Sequence, residues 1–155
     1  MMLEQTPQRG SVLAFDFGLK RIGVAVGDWE NCLAHALETI QSDANDARFG
    51  RIAALIQEWR PTHLVCGLPF SMDGTEHDIS RRARRFANQL HGRFSLPVAL
   101  VDERLTSFAA DLRLREAGVN WKDRNGRARK GLNDAGAAQQ ILQDYFDHAH
   151  ATALA

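Results

Sequence analysis

Residues 11–27 read Ser11-Val12-Leu13-Ala14-Phe15-Asp16-Phe17-Gly18-Leu19-Lys20-Arg21-Ile22-Gly23-Val24-Ala25-Val26-Gly27, and no other stretch restricts the fold as strongly. Val12 to Phe15 and Ile22 to Val26 are short apolar runs of the kind a strand covered on both faces requires. Between them Gly18 and Gly23 are read as sources of backbone freedom, and Lys20 with Arg21 as the polar tip of a tight connection. The unit is a hairpin at the centre of a sheet. Asp16 does not belong to that pattern. A carboxylate inside a buried strand costs several kcal/mol unless it is paired or bound to a cation. Asp16 is therefore a functional residue or a well-satisfied structural one, and charge placed in such a run favours function.

The remaining segments supply the partners this hairpin needs. Leu33 to Ile40 alternates loosely and extends the meander by a third strand. Ser42 to Asp46 is rich in capping residues, and Ile52, Leu55, Ile56 and Trp59 recur at helical spacing, so a helix runs to about Arg60 and Pro61 stops it. Thr62 to Gly67 is a buried strand, which makes a crossover unit. A loop with an Asp73-Gly74 turn follows over 70–77. From Asp78, the residues Ile79, Ala83, Phe86, Ala87, Leu90 and Phe94 form one helical stripe. Pro97 to Val101 is a further strand that runs into Asp102-Glu103-Arg104. Thr106 or Ser107 caps a helix ending near Gly118, residues 120–131 form a mobile loop, and a last helix starts near Asn133-Asp134. The order predicts an α/β chain: a mixed five-stranded sheet flanked by helices. A chain of 155 residues is enough for one domain with a proper core. That domain is placed at 11–147, between a loose lead-in over 1–10 and a flexible tail over 148–155.

Charge is informative through its distribution. Lys plus Arg and Asp plus Glu both count 19, so the net charge says nothing about partners. Arg81, Arg82, Arg84 and Arg85 lie mostly off the apolar stripe of their helix. Such a run is ordinarily a solvated face, but these arginines lack the interleaved acids that i,i+4 pairing needs. Lys122, Arg124, Arg127, Arg129 and Lys130 make the 120–131 loop strongly basic. Cys32 and Cys66 have no CxxC spacing, which argues against a disulfide framework or a zinc site. Residues 1–10 lack the apolar core of a signal peptide, and no run is long enough to span a membrane, so a cytoplasmic protein is expected. No Ser/His/Asp or Cys/His nucleophile arrangement is visible. Asp16-Phe17-Gly18 stands without the other protein-kinase motifs.

Three acids occupy separate elements: Asp16, then Asp102 or Glu103, then Asp134. At the ends of neighbouring strands and on an adjacent helix they can converge on one point. Asp134 alone has an ordinary explanation in the cap and dipole of its helix. Convergent carboxylates repel unless hard cations lie between them, and Mg2+ or Mn2+ takes oxygen ligands. Two such ions about 3.5–4 Å apart clamp the attacking and leaving oxygens of phosphodiester hydrolysis. Arginines nearby would hold the backbone of a nucleic acid.

The chain resembles the YqgF (RuvX) family of bacterial proteins, similar to RuvC-type resolvases with an RNase H-like fold. Leu13-Ala14-Phe15-Asp16-Phe17-Gly18 with Ile22-Gly23-Val24-Ala25 carries the resemblance, together with Gly67-Leu68-Pro69 and Met72-Asp73-Gly74-Thr75-Glu76. So do Arg84-Arg85-Phe86-Ala87, Asp102-Glu103-Arg104-Leu105-Thr106, and Asp134-Ala135-Gly136-Ala137-Ala138 with Ile141-Leu142. Gly136 is the one oddity, since glycine weakens a helix interior.

The resemblance implies a metal-dependent nuclease that uses Mg2+ or Mn2+ and trims the 5′ end of precursor 16S ribosomal RNA. The older assignment in the family is a Holliday junction resolvase acting on branched DNA. Asp16 then corresponds to the acid of the first strand and Asp134 to that of the last helix. The middle acid lies in Asp102-Glu103-Arg104; both acids there are metal-ligand candidates, and Glu103 is favoured because Asp102 directly continues Val101 and alternation separates them. Lys20, Arg21, Arg81, Arg82, Arg84, Arg85, Arg104 and the bases of the 120–131 loop are expected to contact nucleic acid. Pre-ribosomal particles are the expected setting, with a monomer or homodimer and no membrane. Actin-like ATPases share the hairpin but need two such domains. A non-catalytic RNA-binding assembly factor would keep the bases without needing three acids at one point.

Overall fold

The computed structural model describes residues 9–68, 78–102 and 132–154. Strands β1 (Ser11–Asp16) and β2 (Arg21–Asp28) pair antiparallel, with Phe15 opposite Val24 and Asp16 opposite Gly23. β3 (Leu33–Gln41) continues the meander beside β2. Helix α1 (Asn45–Trp59) then crosses over, and β4 (His63–Leu68) returns parallel to β1. Helix α2 (Asp78–Phe94) leads to β5 (Val98–Asp102), parallel to β4, and α3 (Leu132–Leu154) closes the described chain. The sheet order is β3-β2-β1-β4-β5.

The apolar runs are continuous because both faces of the sheet are covered. Leu13, Phe15, Ile22, Val24, Leu64 and Cys66 pack against Phe49, Ile52 and Leu55 of α1 and Phe86 and Leu90 of α2. Val12, Ala14, Ala25 and Val65 pack on the other side, against Ala138, Ile141, Leu142 and Phe146 of α3. α3 is also tied to β3 by side-chain amides. Gln143 accepts from the Ala34 N–H at 3.0 Å and donates to the Cys32 carbonyl at 2.9 Å, while Gln139 donates to the Ala34 carbonyl at 3.0 Å.

His63 is fully buried beneath α3, with Tyr145 Oη 3.0 Å from Nε2 and Thr62 Oγ1 3.2 Å from Nδ1. Burial pushes its pKa down to about 4, so the ring is neutral at neutral pH. None of the described helices is long and apolar enough to cross a membrane.

Several local expectations are corrected. Neither Gly18 nor Gly23 has a positive φ, and Gly23 lies inside β2 rather than in a turn. Both are needed for space. A side chain at Gly18 would strike the Arg21 carbonyl, and one at Gly23 would strike the backbone of Asp134. α1 starts after Ala44 with no side-chain cap; Ser42 Oγ instead accepts from the Ala44 N–H at 3.1 Å. Its end is a left-handed Arg60 (φ 47°) whose N–H reaches the Ile56 carbonyl at 2.8 Å. α3 runs through 148–154, past the point where the sequence places the end of the domain. The expected loop over 70–77, the helix beginning at Thr106 or Ser107 and the basic loop over 120–131 lie outside the described residues.

Candidate active site

Alternation decides where Asp16 points. Leu13 and Phe15 face α1 and α2, Val12 and Ala14 face α3, and the next residue in the second series is Asp16, at the C-terminal end of β1. α3 comes to it by a backbone contact. The Asp134 carbonyl lies directly over the α-carbon of Gly23, the residue paired with Asp16. Paired antiparallel α-carbons are about 5 Å apart, so Asp134 sits roughly one strand's width from Asp16.

Asp134 is the third residue of α3, inside the first turn rather than at the cap position. The helix dipole favours an anion there, but the carboxylate is not satisfied by the helix. Its Oδ2 is buried and accepts no hydrogen bond among the described residues. Arg21 Nε is 3.1 Å from the same oxygen, so charge holds the pair while the N–H is aimed elsewhere. A carboxylate oxygen set against one guanidinium keeps lone pairs to spare for a further ligand. Such an oxygen, with a second carboxylate one strand away, is the donor set a hard divalent cation takes.

The middle acid is less complete. Asp102 ends β5 at the same edge of the sheet, but β4 lies between it and Asp16. Val98 packs against the first core cluster, and Ala99 and Val101 against the second, so alternation turns Asp102 to the α1/α2 face. The structure therefore does not bring Asp102 to Asp16 and Asp134. Glu103, the alternate ligand, lies outside the described residues, as does Arg104. Among the described residues no three side chains form a group that could hold an ion unaided.

A family model described as a Holliday junction resolvase, RuvX, matches residues 10–148. The chain belongs to the RuvX family. A protein of Methylobacillus flagellatus is 52% identical over 139 residues, covering 90% of this chain and 92% of its own, and is named "Putative pre-16S rRNA nuclease". A protein of Dechloromonas aromatica with the same name is 52% identical over 141 residues, covering 91% and 93%. Among solved structures, T. thermophilus RuvC in complex with Holliday junction substrate superposes with a TM-score of 0.55 over 91% of this chain and 96% of that one, at 17% identity. That likeness shows the fold, the RNase H-like fold of RuvC. Family and fold together fit a nuclease.

The basic residues of this RuvX chain are not one patch. Lys20 is exposed in the β1–β2 connection, whereas Arg21 is turned toward Asp134. Arg81, Arg82 and Arg85 line a cleft on the α1/α2 face, and Arg84 does not. Lys122, Arg124, Arg127, Arg129 and Lys130 lie outside the described residues.

Two residues that matter to the site were not singled out for it by sequence. Gly23 is the seat of Asp134; a glycine within a strand pattern is the signal for such a close approach. Arg48 is buried and donates to the Gly18 carbonyl at 2.7 Å and to the carbonyls of Leu19 and Ser42, with its guanidinium over the Phe17 ring. It locks the segment that follows Asp16. Burial lowers its pKa, and the charge of Asp43 opposes that shift. Its position on the inward stripe of α1, in line with Ile52 and Leu55, was the available signal.

Proposed function

We propose that this RuvX-family chain is a divalent-metal-dependent phosphodiesterase that trims the 5′ end of precursor 16S ribosomal RNA in the cytoplasm, on pre-ribosomal particles. The observation that carries the reading is the Asp134 carboxylate, its Oδ2 buried and balanced among the described residues by the Arg21 guanidinium, set beside Asp16. With Glu103 as third ligand, these carboxylates would hold Mg2+ or Mn2+. Bound there, the cation lowers the pKa of a water and offsets the charge that develops on the phosphate.

The protein's own part is placement. Asp16 is fixed by a central strand with neighbours on both sides, and Asp134 by the contact of α3 on Gly23. Arg21 keeps Asp134 in place through its charge. Its guanidinium, partly exposed, is also within reach of a phosphate lying on the two acids.

Holliday junction cleavage is the second reading, favoured by the family description and the RuvC-like fold. One experiment separates the two. The purified protein is incubated with a precursor 16S 5′ fragment and with a four-way DNA junction, each in Mg2+, Mn2+ or EDTA. Cleavage of the RNA that EDTA abolishes is the expected result. Cutting of the junction alone transfers the assignment to DNA, and binding without cleavage of either makes the protein an assembly factor.

A further inference from the structure

On the sheet face opposite the carboxylates, the β1–β2 connection, the start of α1 and one stripe of α2 enclose a cleft of about 530 Å3. Phe17 and Phe86 form part of its floor, with ring centroids 5.1 Å apart. Leu19 stands at its rim, 51% exposed. Arg81, Arg82 and Arg85 line one wall from successive turns of α2. Asp78 draws on the first two, at 3.8 Å from Arg81 and 2.9 Å from Arg82. Arg85 is a turn further on. Arg48 also lines the cleft, but its Nε and Nη2 are engaged by the carbonyls of Ser42, Gly18 and Leu19, so it serves the cleft's shape first.

We propose that this cleft seats the single-stranded phosphodiester segment that flanks the cut bond, with phosphates on Arg81 and Arg85 and a sugar or base against Leu19. The inference rests on the nuclease reading. Its geometry comes from the connection that joins the two faces. Leu19 follows Asp16 by three residues, and an extended chain spans at most about 3.6 Å per residue. The rim therefore lies within about 11 Å of the Asp16 α-carbon, and a strand crossing it passes from the acids into the cleft within a few nucleotides. The volume falls in the range of small-ligand sites, which suits a short single strand and not a duplex. One face of the ring at Phe17 is taken by Arg48, which leaves exposed Leu19 as the apolar contact.

The test is binding by the intact protein in EDTA, so that no cleavage step is involved. Labelled ribo- and deoxyribo-oligonucleotides of equal sequence, single-stranded and duplex, are titrated across a salt series. Arg81→Gln and Arg85→Gln are each expected to lower the slope of log affinity against log salt by about 0.7, the value for one single-strand phosphate contact. Arg84→Gln removes the same charge next to Arg85 but outside the cleft, and should leave the slope unchanged. Leu19→Ser should weaken binding several-fold with no change in slope. All four positions are exposed, so folding is not at risk. Equal slope losses at Arg84 and Arg85, no loss at either, or tighter binding of duplex than of single strands would overturn the proposal. Comparable binding of the two single strands, or preference for one, sustains it and identifies which strand it serves. Because the readout is independent of cleavage, a failed cleavage assay with this slope pattern removes only the nuclease reading, and cleavage without the pattern removes only the cleft.

Discussion

Along β2, Gly23, Ala25 and Gly27 look toward α3, whereas Ile22, Val24 and Val26 look toward α1 and α2. The small series lets a helix backbone descend onto the strand. A side chain at Gly27 would lie 2.6 Å from the Leu33 carbonyl and 2.8 Å from the Phe146 ring, as one at Gly23 would strike Asp134. The large series packs side chain against side chain, and on that face a cleft lies between the start of α1 and α2. Chemistry follows the same division. On the α3 face two carboxylates are placed by main-chain contact; on the other, the cations of α2 stand on long, exposed side chains. Groups that must be positioned closely are set by backbone, and groups that need only attract are not.

The comparison breaks most sharply at the acids. Asp16→Asn and Asp134→Asn should each reduce metal-dependent cleavage by orders of magnitude, with the Asp134 loss steeper in Mg2+ than in Mn2+, which is less strict about ligand geometry. Without metal, the melting temperature of Asp16→Asn should hold or rise, because like-charge repulsion is relieved, whereas Asp134→Asn also gives up the Arg21 pair and should hold or fall slightly. Near-normal cleavage by either variant would leave that carboxylate as a structural group. A contrast between two glycines sharpens the point. Gly23→Ala and Gly27→Ala should both destabilise, by roughly 1–3 kcal/mol each through overpacking. Only Gly23→Ala should also lose cleavage, assayed at a temperature where both variants are folded, because only it displaces Asp134. Parallel losses would deny Gly23 that separate role.

On the other face the effects are smaller. Arg48→Met keeps much of the bulk but strands the Gly18 and Leu19 carbonyls, so a stability loss of about 1–3 kcal/mol is expected in denaturant melts. Cleavage should fall less than in the carboxylate variants. The smallest effect is a pH dependence beneath α3. His63 titrates near 6.5 when unfolded and about 4 when folded, so the unfolded chain binds its proton first. Its contribution is complete above pH 6.5 and is lost as the pH falls toward 4. His63→Gln should flatten the fall in melting temperature over that window, and a slope like that of the wild type would show that other groups carry it.

Much of this organisation was legible because it is written in local periodicity. The opening hairpin, the third strand, the crossover and the stripes of α1 and α2 each follow from spacing within a dozen residues. Asp16 was conspicuous for the same reason, as a charge in an apolar run. What could not be read was what approaches from a distance. Gly23 looked like part of a turn because the backbone that needs its space belongs to α3, the last helix of the chain. Arg48 was passed over because the carbonyls it satisfies precede it by some thirty residues. Arg81, Arg82, Arg84 and Arg85 read as one cluster, and only the position of the β1–β2 connection separates Arg85 from Arg84.

The ion pair between Arg21 and Asp134 bears on the order of events in the life of the protein. Sites built from bare acids must wait for their ion, and some small domains remain unfolded until it arrives. Under the metal reading proposed above, the resident guanidinium would serve as a placeholder, so that a newly made chain could assemble its last helix before any metal arrives. Folding and activation would then be separate acts, the first complete without the cation and the second waiting on it.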